Sequence, residues 1–137
     1  MSEENVEIVR LAGQYLRESY RCGEPIAGLL DLTAPDVRVD ASRRVFNPAV
    51  FVGLAGVRQA IREVHDAWDD FSETDQQLID AGDRVVLLHT IGGRGRASKV
   101  EVEARAALIW TIHNGRIQTI ETFNSPEEAL EAVGPTA

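Results

Sequence analysis

Apolar residues recur at helical spacing from the start of the chain. Val6, Val9, Leu16 and Tyr20 form one stripe, with Ile8, Ala12, Tyr15 and Ser19 beside it. Ser2 can cap this helix, Glu3 and Glu4 suit its positive end, and Gly23 can stop it. A short second helix is predicted from Pro25 to about Leu32, since proline is preset for a first turn. The period then changes to two. Asp36–Ala41 alternates as a strand, and the irregular stretch that follows contains Pro48, which suits no central strand. Leu54, Val57, Ile61, Val64 and Trp68 step by three or four and predict a long helix. From Phe71 onward the pattern is β. A weak strand covers Phe71–Ile79, and three longer ones cover Arg84–Arg96, Lys99–Ile112 and Arg116–Asn124. Ser125, Pro126 and Glu128 then spell a helix start with a capping box. The order predicts an α+β fold with helices packed on one face of an antiparallel sheet.

The strand ends fix which side chains share a face. An even-length turn near Ser98-Lys99 sets Arg96 opposite Glu101 and Arg94 opposite Glu103, pairing opposite charges. One face then carries Val85, Leu87, His89 and Ile91, with Ala104, Ala106, Leu108 and Trp110 opposite them. The other face becomes apolar at Val86, Leu88, Ala107 and Ile109, which predicts burial against a second copy and hence a homodimer through the sheet. Gly93 and Gly95 leave room for a bend that curls the sheet into a cone. The glycines between them and the arginines do not form a phosphate loop, because no Lys-Ser/Thr pair opens a helix there.

The chain of 137 residues suits one domain over 1–137, and 44% hydrophobic content suffices for a core. A net charge of −8 argues against nucleic acid or anionic membrane as partner. No apolar run is long enough to span a bilayer, and the acidic N-terminus is no secretory signal. Cys22 is the single cysteine, which excludes an internal disulfide and fits a cytoplasmic location. His65, His89 and His113 share no ligand spacing, so neither a metal nor another cofactor is expected.

Several phrases, NVEIVRLAGQYLRE, FVGLAGVRQAIREVHDAWDDF, LIDAGDRVVLL and ALIWTIHNGRIQTIETFNSPEEALEAVG, resemble the SnoaL-like branch of the nuclear transport factor 2-like superfamily along nearly the whole chain. The resemblance implies a curved sheet wrapped around helices, an apolar conical pocket for a small hydrophobic molecule, and frequent dimerisation through the sheet. Relatives of this fold include polyketide cyclases, ketosteroid isomerases and limonene epoxide hydrolases, so the fold does not supply a reaction. The isomerase base falls on Ala41 and the protonated aspartate of its oxyanion site on Leu108. The Asp-Arg-Asp set of the epoxide hydrolases falls on Ile91, His89 and Thr122, and the cyclase acid falls on Thr122 or Glu121. None of these carboxylate sets is present as such.

His89 is therefore the sharpest candidate for catalysis, an imidazole alone on an apolar strand face. The plainer reading is a core histidine satisfied by one hydrogen bond. Glu121 is the second candidate. It faces inward if the turn at His113-Asn114-Gly115 has two residues, whereas a three-residue turn turns Thr122, Ile120 and Gln118 inward. Tyr15, Phe51, Trp68, His89, Leu108, Trp110 and Thr122 are the expected ligand-contacting residues, or simply core. Arg38 and Asp40 read as an outer-face charge pair, and Arg43 and Arg44 as loop residues able to reach a pocket mouth. The expectation is a small-molecule-binding protein lacking the recognised carboxylates. The alternative is a cofactor-free isomerase, cyclase or hydrolase with His89 as acid and base.

Overall fold

The computed structural model describes residues 2–44 and 47–134. Its elements run α1 (Ser2–Cys22), α2 (Ala27–Asp31), β1 (Thr33–Ala41), β2 (Ala49–Val52), α3 (Gly53–Ala67), β3 (Trp68–Ala81), β4 (Arg84–Gly95), β5 (Glu101–His113), β6 (Arg116–Phe123) and α4 (Pro126–Val133). The strands form one curved, unclosed sheet in the order β2-β1-β6-β5-β4-β3. Every contact is antiparallel except β1 with β6, which is parallel. That contact joins distant segments of the chain, and alternation within each segment carries no sign of it. Pro48 immediately precedes β2, which lies at the sheet edge where a missing donor is tolerated.

Helices α1, α2 and α3 lie on the concave face. There Val9, Ala12, Leu16, Leu29, Val57 and Ile61 pack with Val85, Leu87, Trp110 and Ile120. The opposite face is apolar at Val86, Leu88, Ala107, Ile109 and Phe123, as the alternation implies, but Ala129 and Val133 of α4 pack onto it. The chain's own C-terminal helix thus covers the patch that suggested a partner surface. Helix α4 begins as its sequence predicts, with Ser125 Oγ accepting from the Glu128 amide at 3.3 Å.

The β4–β5 facing is as expected, but the register is two residues away. Arg94 stands opposite Glu101 and Gly92 opposite Glu103. The loop closes with Gly95 N donating to Val100 O and Lys99 N donating to Gly95 O, so it holds four residues rather than two. Arg96 leaves the hairpin and pairs with Asp69 at 3.1 Å. Gly93 has a specific use, since a Cβ there would stand 3.3 Å from Trp68 Cε3. The Arg38–Asp40 pair also does not form as read. Asp40 Oδ1 accepts from the amide and the hydroxyl of Ser42, and these bonds hold its carboxyl below the usual range.

Two strands carry irregularities that reassign their faces. β3 shifts register between Asp69 and Ser72 and again between Thr74 and Gln77. Asp70 (φ 55°) and Asp75 (φ 52°) take the left-handed conformation at these bulges. β6 shifts once, after the two-residue turn at Asn114 (φ 51°) and Gly115 (φ 75°). Beyond that shift Trp110 faces Ile120 and Leu108 faces Thr122.

The Asp75 bulge yields a direct expectation. Asp75→Val is expected to cost about 1–2 kcal/mol, because a β-branched residue resists that backbone conformation. Asp75→Gly is expected to leave urea stability nearly unchanged. Equal losses in both variants would mean that the aspartate side chain, not the backbone, secures the bulge.

Candidate functional site

The concave face is sealed at one end and opens toward the other. Val85, Leu87 and Trp110 are buried, whereas Ile91, Ala106 and Leu108 are half-buried and Ala104 is exposed. His89 lies at this transition, opposite Ala106 on β5. Its imidazole does not stand alone. Nδ1 lies 2.7 Å from Glu73 Oε2, and the two side chains are only 5% and 6% exposed.

The Asp75 bulge creates this pair. From the β3–β4 turn onward, Leu78 pairs with Leu87 and Gln77 with Leu88, a register that would set Glu73 opposite Gly92 on the outer face. The shift at Asp75 moves Glu73 opposite Ile91, onto the face of His89. An ionised carboxylate can only accept, so toward it Nδ1 is the donor, and in the neutral ring that tautomer leaves the lone pair on Nε2. Nε2 has no hydrogen-bond partner among the described residues. This combination of a buried carboxylate, an oriented imidazole and a free ring nitrogen suits general acid–base chemistry.

Tyr20 borders the pair from α1. Burial pushes its hydroxyl well above the ordinary 10.0, the nearby Glu73 pushes it further, and Arg44 opposes the shift. Its ring meets Phe71 edge to face, with centroids 5.3 Å apart. Above about pH 10 the unfolded chain loses the Tyr20 proton while the folded chain retains it, so stability falls as pH rises past that point. Tyr20→Phe is expected to flatten the alkaline part of the stability profile, measured by urea unfolding between about pH 9 and about pH 11. An unchanged slope would assign the alkaline loss to other groups.

The other candidates are spread around the fold. Glu121 lies on the outer face opposite Ile109, 30% exposed, with Arg43 at 3.5 Å. Its fellow candidate His89 is on the opposite face. Thr122 is on the helix side, where its hydroxyl donates to Asp40 O at 3.3 Å. Its inward facing results from the β6 bulge, since the turn itself has two residues. Trp110 is fully buried, and its Nε1 has no hydrogen-bond partner among the described residues. Leu108 packs at the margin of the same core. Phe51 is 4% exposed beneath the Arg44 guanidinium, which lies 5.9 Å from its ring centroid. Tyr15 covers Gly28, where a Cβ would meet its ring at 2.8 Å. Trp68 lines a cleft at the ends of α1 and α3. His65 is partly buried there, with Nδ1 2.9 Å from Tyr20 O.

Glu73 is the residue the sequence reading missed. Its signal is indirect, namely an aspartate two residues later at a position that breaks the alternation of the strand. Among the described residues, no group of three or more His, Cys, Asp or Glu side chains could hold a metal ion. None of the described helices is long and apolar enough to cross a membrane.

The chain is similar to several solved structures. A nuclear transport factor 2-like protein from Burkholderia xenovorans LB400 shares 17% identity at a TM-score of 0.76, covering 90% of each chain. TerC, crystallised with polyporic acid, shares 19% at 0.71, covering 95% of this chain and 98% of that one. A candidate polyketide cyclase from Xanthomonas campestris pv. campestris shares 16% at 0.69, covering 95% and 99%. At these identities the likeness is one of fold. No curated protein matches the sequence. The model of the SnoaL-like domain matches residues 22–120, and the chain belongs to that family.

Proposed function

We propose that this protein holds a small, largely apolar molecule against the half-buried end of its concave face, and that His89, oriented by Glu73, moves a proton on it without a cofactor. The 2.7 Å contact between the two nearly buried side chains carries this reading. Keeping a carboxylate and an imidazole in an apolar face costs desolvation that an apolar pair of similar size avoids. A functional use accounts for their presence. In that role Nε2 accepts a proton from carbon or oxygen beside a carbonyl group and returns it to a neighbouring atom. Glu73 fixes the tautomer and stabilises the cation that forms between the two steps. Isomerisation, ring closure and elimination all share this proton relay.

The relatives support a substrate class in outline. One was crystallised with polyporic acid, and another is a candidate polyketide cyclase. Oxygenated ring compounds are therefore the first molecules to test. A second reading, binding without turnover, is favoured by Ala41, which is fully buried and apolar where isomerases of this fold keep their base. A thermal-shift panel of lactones, steroids, epoxides and aromatic polyketides separates the two, followed by turnover assays on any class that stabilises the fold. Acid–base catalysis predicts that His89→Ala lowers turnover by about 10²–10⁴-fold. Binding alone predicts no turnover in the parent and a modest change in affinity in the variant.

The same reading includes a cytoplasmic location, supported by the single cysteine. It also includes a homodimer through the sheet. Support for the dimer is now narrower, because α4 covers the central apolar patch and leaves Val50 and Val52 of β2 exposed on that face. Sedimentation of the parent and a Val52→Asp variant tests it. A dimer that persists unchanged in the variant excludes this edge of the sheet as the contact.

A further inference from the structure

A cleft of about 480 Å³ opens where the last turns of α1 and α3 meet the first residues of β3. Small-molecule sites occupy roughly 300–1,000 Å³, so the space suffices for a ligand of one or two rings. Tyr20, Val64, Trp68 and Phe71 supply its apolar surface, and all four are half-buried. The aromatic wall is built on the helix side of the sheet. A Cβ at Gly93 would stand 3.3 Å from Trp68 Cε3 and 3.4 Å from Phe71 Cα, so both residues close on the same strand position. Phe71 in turn meets Tyr20 edge to face. Neither His89 nor Glu73 lines this space, so the inference stands apart from the acid–base reading.

The same wall carries an oriented imidazole. His65 lines the cleft and stands three residues before Trp68, so the two side chains leave one side of the last turn of α3. Its Nδ1 lies 2.9 Å from Tyr20 O. A peptide carbonyl can only accept, so Nδ1 is the donor, and the neutral ring keeps its lone pair on Nε2. Nε2 has no hydrogen-bond partner among the described residues. Gly23 packs against the ring edge at Cδ2, where a Cβ would approach to 2.8 Å. These two contacts fix the ring without engaging Nε2. The charges around the cleft are engaged or balanced. Arg96 pairs with Asp69 at 3.1 Å and donates to the carbonyls of His65 and Trp68 at 2.8 and 3.2 Å. Arg21 and Asp70 are exposed and opposite in sign, and Arg94 belongs to the outer face of the sheet, opposite Glu101.

We infer that this cleft binds a neutral phenol, its ring against Trp68 and its hydroxyl donating to His65 Nε2. Aromatic walls select a flat ring, an unengaged lone pair selects a hydrogen-bond donor, and balanced charge selects a neutral molecule.

Titration with 4-ethylphenol and with its methyl ether, 4-ethylanisole, followed by nuclear magnetic resonance of the histidine rings, tests it. Saturable binding is expected, about fivefold tighter for the phenol, because the ether cannot donate. The phenol is also expected to shift the His65 Nε2 resonance. His65→Phe keeps a flat ring beside Gly23 and removes the acceptor. It is expected to lower the phenol to the affinity of the ether and to leave the ether unchanged. Trp68→Leu is expected to weaken both, with melting curves confirming that both variants fold. His89→Ala is expected to leave both affinities unchanged, so this site remains testable even if the acid–base chemistry fails. Absent saturable binding, equal affinity for phenol and ether, a His65 resonance indifferent to the phenol, or binding lost with His89→Ala but kept with His65→Phe would each overturn the assignment.

Discussion

Glu73→Ala is expected to abolish proton transfer by His89 and to destabilise the fold by about 1–3 kcal/mol. The substitution leaves Nδ1 of a 4% exposed histidine without its acceptor, and a buried donor without a partner costs its full desolvation. It also frees the ring to change tautomer, which removes the lone pair from the position that Glu73 holds for it. Glu73→Gln is the informative companion. Its amide oxygen can still accept from Nδ1, so stability is expected to fall less than in the alanine variant. Turnover is expected to fall nearly as far, because a neutral amide cannot stabilise the imidazolium that forms during the reaction. Urea unfolding and turnover on the class selected by thermal shift check the two halves separately. If Glu73→Ala leaves stability unchanged, the contact is not maintained in solution, and the proposed relay loses its orienting group.

The largest effect on stability is expected at the sealed end of the cone. Trp110 has no exposed surface, and Val85, Leu87, Ile112 and Ile120 belong to the same buried cluster. Trp110→Ala is expected to cost about 3–5 kcal/mol, since both apolar contact and the resulting cavity count against the fold. A loss of that size is a large share of a typical domain's stability. Trp110→Phe is expected to cost far less. It keeps most of the ring volume and removes the Nε1 donor, which lacks a partner among the described residues. Urea midpoints of the two variants decide between packing and polar satisfaction as the residue's main role. Similar losses in both would mean that the indole nitrogen is satisfied in solution.

How much of this was legible in the sequence depends on whether the local period persists. β4 and β5 alternate without interruption, so the shared face of Val85, Leu87, His89 and Trp110 follows from counting. The start of α4 is equally legible, because Ser125 caps through a contact between near neighbours. β3 defeats counting. Its two bulges rest on Asp70 and Asp75 in the left-handed conformation, and each shifts the following residues to the other face. Simple alternation from the β3–β4 turn sends Glu73 outward, whereas the structure turns it toward His89. β6 offers a related lesson. Thr122 does face the helices, but through a bulge after a two-residue turn, so the outcome matched one reading while its cause matched neither. The parallel β1–β6 contact and the cover provided by α4 are long-range features with no local signature.

These observations make the candidate site a product of backbone irregularity as much as of residue choice. A strand bulge turns a glutamate inward, the glutamate orients a histidine, and the half-buried end of the concave face leaves the other ring nitrogen free. Tyr20 and Arg44 act on the same neighbourhood electrostatically. A carboxylate reaches the histidine from the neighbouring strand.

The most direct test of this account is the nitrogen-15 spectrum of the His89 ring at neutral pH, in the parent and in Glu73→Gln, with and without a compound that raises the melting temperature. The account predicts that Nδ1 bears the hydrogen in the parent, that Nε2 is the bare nitrogen, and that bound compound shifts the Nε2 resonance. A hydrogen on Nε2 in the parent, or an Nε2 resonance indifferent to every compound that stabilises the fold, would contradict it.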